Sequence, residues 1–414
     1  MAVPRRTSRD IRSESRLDVI HAVLSAGETT RNEVARSTGL SPATVATVMG
    51  ELMAEGIVAE TRLTVGRVGR PTATLAMNAS RGRVVGIDVA ETYVRAIMFD
   101  AALNQVGSLE EPRDEHEVAP IVVVEGIGRV VDALLATTGT ARADVLGVGV
   151  ALPGVVQGAS GPSVVVPHWG WHRVELDRLR DRVGLPLVVD NPLRAIATAE
   201  LWFGRGRECS SLVTINLGTG VGAGIVLEGR ILRGATNSAG EWGHSLLVLD
   251  GRECRCGRRG CVEAYVGAPG IQETLREIAP DHPLVDVDTQ PDFIAALAAA
   301  AGRADAPSGG DKAVQETIAR TAYYLGSAIA DLVAVVNPEV VTLTGWTTWL
   351  LGEHLLPATR AHLVDQAPGR SAADMALEVS TVRGNSVAAG LATIALERFL
   401  ADAGLLTTQL PTAL

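Results

Sequence analysis

Apolar residues recur at helical spacing through Leu17-Asp-Val-Ile20-His-Ala-Val23-Leu24, and again in the shorter run Asn32-Glu-Val34-Ala35-Arg36 after Glu28-Thr29-Thr30. Gly39-Leu40 reads as a tight turn, and Ser41-Pro42 as an N-cap with proline at the first helical position. The third helix that follows carries Val45, Val48, Met49 and Leu52 as its buried stripe and Ser41, Ala43, Thr44 and Thr47 on the opposite side. Ile57-Val58 begins a strand, and Gly66-Arg67-Val-Gly69-Arg70-Pro71 reads as the tip of a hairpin. From Val84 the period changes. Short β-branched runs at Val84–Asp88, Val145–Ala151, Leu187–Val189 and Leu212–Ile215 alternate with helical stretches, which is the pattern of an α/β fold. Ile215 to Val226 reads as strand, glycine-rich turn and strand, and Asp331 to Val341 as a helix passing into a strand at Asn337-Pro338. Val387–Leu400 is an apolar C-terminal helix.

Three short helices with a glycine turn before the last, followed by a strand and a basic hairpin tip, form the winged helix-turn-helix pattern. In it the third helix enters the major groove. Ser41, Ala43, Thr44 and Thr47 are therefore candidate base readers, and Arg67 and Arg70 candidate minor-groove contacts. Charge supports this division. The whole chain of 414 residues carries a net charge of −10, yet residues 1–83 hold 12 Arg against 8 Asp and Glu. A basic reader of double-stranded DNA joined to an acidic body fits that asymmetry. The length suits two or three domains, with boundaries expected at 1–83, 84–205 and 206–384 and with the helix 385–400 returning to the second segment. No run of about 18 uninterrupted apolar residues occurs and the start is not a leader-like apolar segment, so the expected location is cytoplasmic, away from the membrane.

Three of the four cysteines fall within Cys254–Cys261 and join His244 in the spacing H-x9-C-x-C-x4-C. Three thiolates and one imidazole satisfy the tetrahedral preference of a closed structural zinc, with no open position for a catalytic water. Cysteine usage this sparse and this clustered suits metal ligation in a reducing compartment, and Cys209 reads as a buried small hydrophobe. Two carboxylates flank the cluster, Glu241 in Gly-Glu-Trp-Gly-His244 and Glu263 in Cys261-Val-Glu263. Each can accept hydrogen bonds from vicinal hydroxyls, and His244 can add the ring nitrogen that a metal leaves free, which suits a polyol ligand.

The winged helix-turn-helix, Gly218-Thr-Gly-Val-Gly-Ala-Gly224, Gly240-Glu-Trp-Gly-His244, Cys254-x-Cys-Gly-x-x-Gly-Cys261-x-Glu263 and Asn337-Pro338 occur in the order found in the ROK family of repressors, open reading frames and sugar kinases. The chain resembles the family's transcriptional repressors of sugar metabolism over essentially its whole length. That resemblance implies an actin-like ATPase fold of two α/β lobes around a cleft, with a structural zinc on the four residues above. It assigns sugar contacts to Glu241, His244 and Glu263, with Asn191 and Gly154 at the positions of two further family motifs. His168, Trp169 and Trp171 fall where the family has a loop near the sugar, so an indole there either stacks on a pyranose face or packs in the core.

The same resemblance exposes departures from a kinase. Pro192 stands at the position of the family's catalytic aspartate, and proline has no acid or base group. Asp88 is followed by Val89-Ala90-Glu91-Thr92 where the kinases have two glycines before the threonine, and Leu343-Thr344-Gly345-Trp346 replaces a glycine run after Asn337-Pro338. The expected protein is thus not an enzyme. It is a sugar-responsive regulator, a repressor by resemblance, in which a homodimer or homotetramer sets two winged domains on an inverted repeat. The expected effector is a sugar or sugar phosphate. An active ATP-dependent sugar kinase with a DNA-binding head, and a regulator controlled by a protein partner, are the alternatives from other classes.

Overall fold

The structure, a computed structural model, describes residues 8–64, 72–157, 163–302 and 311–405. The chain divides into two compact units, residues 1–202 together with 384–414, and residues 203–383.

The first unit begins with helices α1 (Ser8–Ala26), α2 (Arg31–Thr38) and α3 (Pro42–Ala54), followed by the antiparallel pair β1 (Val58–Thr64) and β2 (Thr72–Met77). Local chemistry fixes these ends. Thr30 and Glu33 close a reciprocal capping box on α2, Gly39 ends that helix in the left-handed region, and Ser41 caps α3 through the Thr44 N–H. Val45, Val48, Met49 and Leu52 form the buried stripe of α3 as the periodicity predicts.

A five-stranded sheet follows, built from β3 (Arg83–Val89), β4 (Tyr93–Asp100), β5 (Gln105–Pro112), β6 (Val145–Ala151) and later β10 (Leu187–Asp190), in the order β10-β6-β3-β4-β5. Strands β10, β6 and β3 are parallel, whereas β4 and β5 are antiparallel additions. Helix α4 (Pro120–Thr138), the small sheet of β7 (Val155–Gln157), β8 (Ser163–Val166) and β9 (Trp171–Glu175), and helices α5 (Asp177–Val183) and α6 (Pro192–Phe203) complete the connections.

The second unit repeats the plan. Its sheet contains β11 (Leu212–Leu217), β12 (Val221–Leu227), β13 (Arg230–Ile231), β14 (Val340–Thr344) and β15 (Ala376–Val379), in the order β13-β12-β11-β14-β15. Again three strands are parallel and two are antiparallel. Helices α7 (Glu263–Val266), α8 (Ala268–Ile278), α9 (Gln290–Ala301), α10 (Lys312–Val336) and α11 (Trp346–Gln366) belong to this unit. The passage from α10 to β14 runs through Asn337, which is left-handed, and Pro338. Two α/β units sharing one strand plan are the duplicated architecture of the actin-like kinase fold.

The last helix, α12 (Ser386–Asp402), returns to the first unit and lies on β3 and β6. A Cβ at Gly86 would collide with the backbone of Ala388, so glycine permits the helix to touch the strand. The helical head is continuous with this layer. Val19, Ile20 and Val23 of α1 share one buried cluster with Trp202, Leu396, Leu400 and Leu405. Polar contacts reinforce it: the His21 ring lies 4.0 Å from the Trp202 ring, Trp202 Nε1 donates to Glu397 Oε1 at 2.9 Å, and Arg16 donates to the carbonyls of Gly404 and Leu405. Among the described residues no helix is long and apolar enough to cross a membrane.

Candidate functional site

The second unit holds the cluster of potential metal ligands. After Gly240, a single helical turn spanning Glu241–His244 brings His244 beside the segment Cys254–Cys261. That segment folds as a knuckle: Cys254 N–H donates to Arg258, Gly257 N–H to Cys254, and isolated bridges pair Glu253 with Arg259 and Leu246 with Cys261. Gly260 adopts φ 76°, and a side chain there would strike the Val248 carbonyl, so glycine is required for the return of Cys261.

One ligand atom from each of His244, Cys254, Cys256 and Cys261 lies within 4.8 Å of the other three. Cys256 Sγ and Cys261 Sγ are 3.7 Å apart, as are Cys254 Sγ and His244 Nδ1. A tetrahedral ion with bonds of about 2.3 Å to sulfur requires S–S edges of about 3.7 Å, so the four residues fit such a metal. Burial pushes the Cys254 and Cys261 thiols up, whereas at Cys256 burial is outweighed by hydrogen bonds from Arg258, which bring that thiol below its usual range.

The carboxylates at this cluster have different surroundings. His244 turns Nδ1 toward Cys254, which leaves Nε2 4.0 Å from Glu241 Oε2, and both side chains are half-buried. Glu263, by contrast, is 8% exposed. Its Oε2 accepts the Val221 N–H at 2.9 Å, and its Oε1 is 3.6 Å from Cys254 Sγ and 3.9 Å from Arg255 Nε. Glu263 therefore joins the cysteine knuckle to the glycine turn between β11 and β12.

In the first unit Asn191 Nδ2 donates to the Gly154 carbonyl at 2.6 Å, and Asn191 Oδ1 accepts the Leu193 N–H at 2.8 Å, capping α6. One amide hydrogen and one lone pair remain on that side chain for a ligand. Pro192 is the first residue of α6, a position where its missing N–H costs nothing. Asp190 and Arg194, both buried, form an ion pair of 2.5 Å, and Asp190 Oδ1 also accepts the Asn191 N–H.

Asp88, at the end of β3, accepts hydrogen bonds from Tyr93 at 3.0 Å and from Asn385 at 2.8 Å, and burial raises its carboxyl above the usual range despite those two donors. Glu91 lies 3.9 Å from His168. Arg113 donates to the Ala90 carbonyl and covers the Trp169 ring at 4.7 Å. Trp169 and Trp171 both sit in the core, edge to face, with Trp171 Nε1 bonded to the Val118 carbonyl. Neither indole is laid open as a stacking platform, which corrects the stacking alternative: burial of a flat apolar ring in the core wins over exposure. Cys209 is half-buried, less enclosed than its hydrophobic character suggested.

On α3, Ser41, Ala43 and Thr47 are exposed and Thr44 is half-buried, opposite the buried stripe. Ser41 Oγ and Thr44 Oγ1 are 2.8 Å apart, and Thr47 Oγ1 donates to the Ala43 carbonyl. Ala46 and Gly50 share the exposed side and were not picked out from the sequence, although their spacing of three and seven from Ala43 places them there. Arg12 and Arg16 of α1 both pair with Glu51 near the end of α3. Arg67 and Arg70 lie outside the described residues.

Comparison with known proteins follows the same division. The pattern of the ROK family matches residues 84–398, and that of a winged helix-turn-helix DNA-binding domain matches residues 12–59. A putative xylose repressor of Caldicellulosiruptor sp. is 27% identical over 403 residues, spanning 94% of this chain and 97% of its own. A glucokinase of Halalkalibacterium halodurans is 30% identical over 302 residues, or 72% of this chain and 90% of its own. The solved structure of a ROK family transcriptional regulator, a homologue of the E. coli MLC protein, superposes with a TM-score of 0.72 at 24% identity, covering 94% of this chain and 99% of that one. With a ROK body and a DNA-binding head in one chain, this protein belongs to the ROK family and has the build of its transcriptional repressors.

Proposed function

We propose that the protein represses genes of sugar uptake or metabolism, and that a sugar or sugar derivative held by its kinase-like body controls DNA binding without being phosphorylated. One observation carries the regulatory reading over the catalytic one. At the start of α6, where the family's kinases have their base, the side chain is Pro192, and the neighbouring Asp190 is buried in an ion pair with Arg194. A general base must reach a substrate hydroxyl within hydrogen-bond distance and exchange its proton, and a fully buried carboxylate pinned to a guanidinium does neither.

Glu241 and the Nε2 edge of His244 are half-buried; the carboxylate accepts and, with Nδ1 turned to the metal ligands, Nε2–H donates, a suitable grip for vicinal hydroxyls. Glu263 contributes by holding the loop through Val221, and within the first unit Asn191 with Gly154 is a polar position suited to a hydroxyl. Zinc suits the donor set, three thiols and one imidazole within 4.8 Å of one another, and would act structurally, fixing the orientation of His244 and the knuckle that carries Glu263. The head reads DNA with the exposed face of α3, and a pair of heads on an inverted repeat follows from a symmetric dimer. Control requires the effector to bind the two DNA-affinity states unequally, and a 100-fold preference corresponds to about 2.7 kcal/mol.

The test is a titration of the zinc-loaded protein with a panel of neutral and phosphorylated sugars, with and without Mg2+–ATP. A single sugar class is expected to bind saturably, to weaken DNA retention, and to release no ADP. Glu241→Ala is expected to abolish that binding while leaving DNA retention intact. Sugar-dependent ADP release would establish a kinase instead, and an undiminished sugar response in Glu241→Ala combined with His244→Ala would remove the proposed grip.

A further inference from the structure

Helix α12 ends in a turn that its sequence dictates. Gly404 adopts φ 75°, its N–H returns to the Ala401 carbonyl, and the Leu405 N–H returns to the Leu400 carbonyl. This is a Schellman turn, with Leu400 and Leu405 packed in one buried cluster. The carbonyls of Gly404 and Leu405 lie beyond the helix end, and both accept from Arg16 Nη1 of α1, at 3.0 and 3.2 Å. A cation is favoured at that end by the helix dipole.

The same guanidinium holds α3. Arg16 Nε and Nη2 both meet Glu51 Oε2, at 2.8 and 2.6 Å, while Arg12 takes the other carboxylate oxygen. Burial raises the Glu51 carboxyl, but hydrogen bonds from Arg12 and Arg16 outweigh it and hold the group below its usual range. Each of the three nitrogens of Arg16 is thus bonded to another element, whereas the contact of Arg12 with Glu51 joins α1 to α3 alone. Helix α12 is itself fixed to the sheet of the first unit: it lies on β3 and β6, and Asn385 at its start accepts the Ala388 N–H and donates to Asp88. Apolar packing between α1 and α12 is non-directional and permits rocking. A planar, forked guanidinium bonded on three sides does not.

We propose that Arg16 is a positioning residue for DNA binding: by joining Glu51 of α3 to the carbonyls that end α12, it holds α3 at one angle to the first unit and so sets the separation of half-sites that a pair of heads accepts. This rests on the reading of α3 as the helix that enters the groove, and it adds a residue that orients that helix through protein contacts. Two extra base pairs between half-sites turn one of them by about 70° around the DNA axis, which heads held at a fixed angle cannot follow.

Pulsed electron spin resonance on the full-length, zinc-loaded protein tests the clamp without DNA. Labels are placed at Ala54→Cys, the exposed last residue of α3, and at Ala136→Cys, exposed on α4, in a Cys209→Ser background diluted with unlabelled protein. The distance distribution is expected to widen at least about twofold in Arg16→Met and in Arg16→Lys, whose single ammonium cannot span Glu51 and both carbonyls, and to stay unchanged in Arg12→Met. In parallel, the inverted repeat recovered from the protein's own genome is prepared with two base pairs added between its half-sites. The wild type is expected to lose at least about tenfold in affinity for the lengthened site, and Arg16→Met less than about threefold. Thermal unfolding checks each variant, and Arg16→Lys carries the test if the methionine variant does not fold. An unchanged distribution in a folded Arg16 variant overturns the proposal, as does spacing selectivity kept by that variant, full rescue by lysine, or equal widening in Arg12→Met. Failure of the wild type to retain DNA counts against α3 as the reader, and the label distances still decide the clamp.

Discussion

Arg194→Ala provides a demanding test of the chemistry assigned to the start of α6. Asp190 is 0% exposed and Arg194 2%, and their closest atoms are 2.5 Å apart. Truncating the arginine leaves a buried carboxylate whose charge has lost its partner, a change that costs about 3 to 5 kcal/mol. The Asn191 N–H remains on the same oxygen at 2.8 Å, which places the expected loss in the lower half of that range. Removing both charges should cost far less. Asp190→Asn with Arg194→Met keeps the volume and is expected within about 1.5 kcal/mol of the wild type, giving a strongly non-additive cycle. Urea unfolding in excess zinc measures this, with Trp169, Trp171 and Trp202 reporting on the first unit. An Arg194→Ala loss below about 1 kcal/mol, or a double variant as unstable as the sum of the singles, would refute the buried pair. The double variant should also keep its sugar response, because neither residue is assigned proton transfer.

Three further outcomes follow from the geometry. Asp88→Asn keeps an oxygen for Tyr93 and Asn385 but removes a buried charge. Because burial raises the Asp88 carboxyl in the folded state, its protonated form is the stabilised one; that contribution is present below the unfolded value and is lost as pH rises through the folded one. The variant should therefore gain on the wild type as pH rises, and urea midpoints at acidic and alkaline pH that show the opposite trend would contradict this. Trp202→Phe deletes the hydrogen bond to Glu397 and thins the layer joining α1 to α12, for an expected loss of about 1 to 3 kcal/mol in thermal unfolding, whereas Glu397→Gln, which keeps an acceptor, should lose less. Zinc must displace protons from Cys254 and Cys261, whose thiols burial holds above their usual range, so chromogenic competition should show zinc affinity rising with pH and Cys261→Ser should weaken it at every pH.

The parts legible in the sequence are those in which local chemistry decides. The stripe on α3 and its Ser41-Pro42 start are set by period and capping, and the cysteine knuckle by ligand spacing. The run from α10 into β14 is marked by Asn337-Pro338, and the buried strands β3, β6 and β11 by β-branched residues between turns. Strands β4 and β5 were not singled out, because β5 alternates exposed and half-buried residues as an edge strand and offers little apolar contrast. Joining α1 to α12 through His21, Trp202 and Glu397 was equally hidden, since these residues are separated by nearly the length of the chain and each alone reads as an ordinary amphipathic position. The same holds for Glu263. Its flanking cysteine identifies the neighbourhood, but only the fold shows that its carboxylate holds the Val221 N–H of the glycine turn.

The central claim is that one chain reads DNA and surrenders it to a sugar. The most direct measurement incubates the full-length, zinc-loaded protein with fragments of its own genome, sequences what it retains, and repeats the capture in the presence of the sugar panel. The account predicts enrichment of an inverted repeat beside sugar transport or catabolic genes, lost on addition of one sugar class and retained under that sugar by Glu241→Ala. No enrichment at low or moderate salt, or enrichment that no sugar alters, would contradict it.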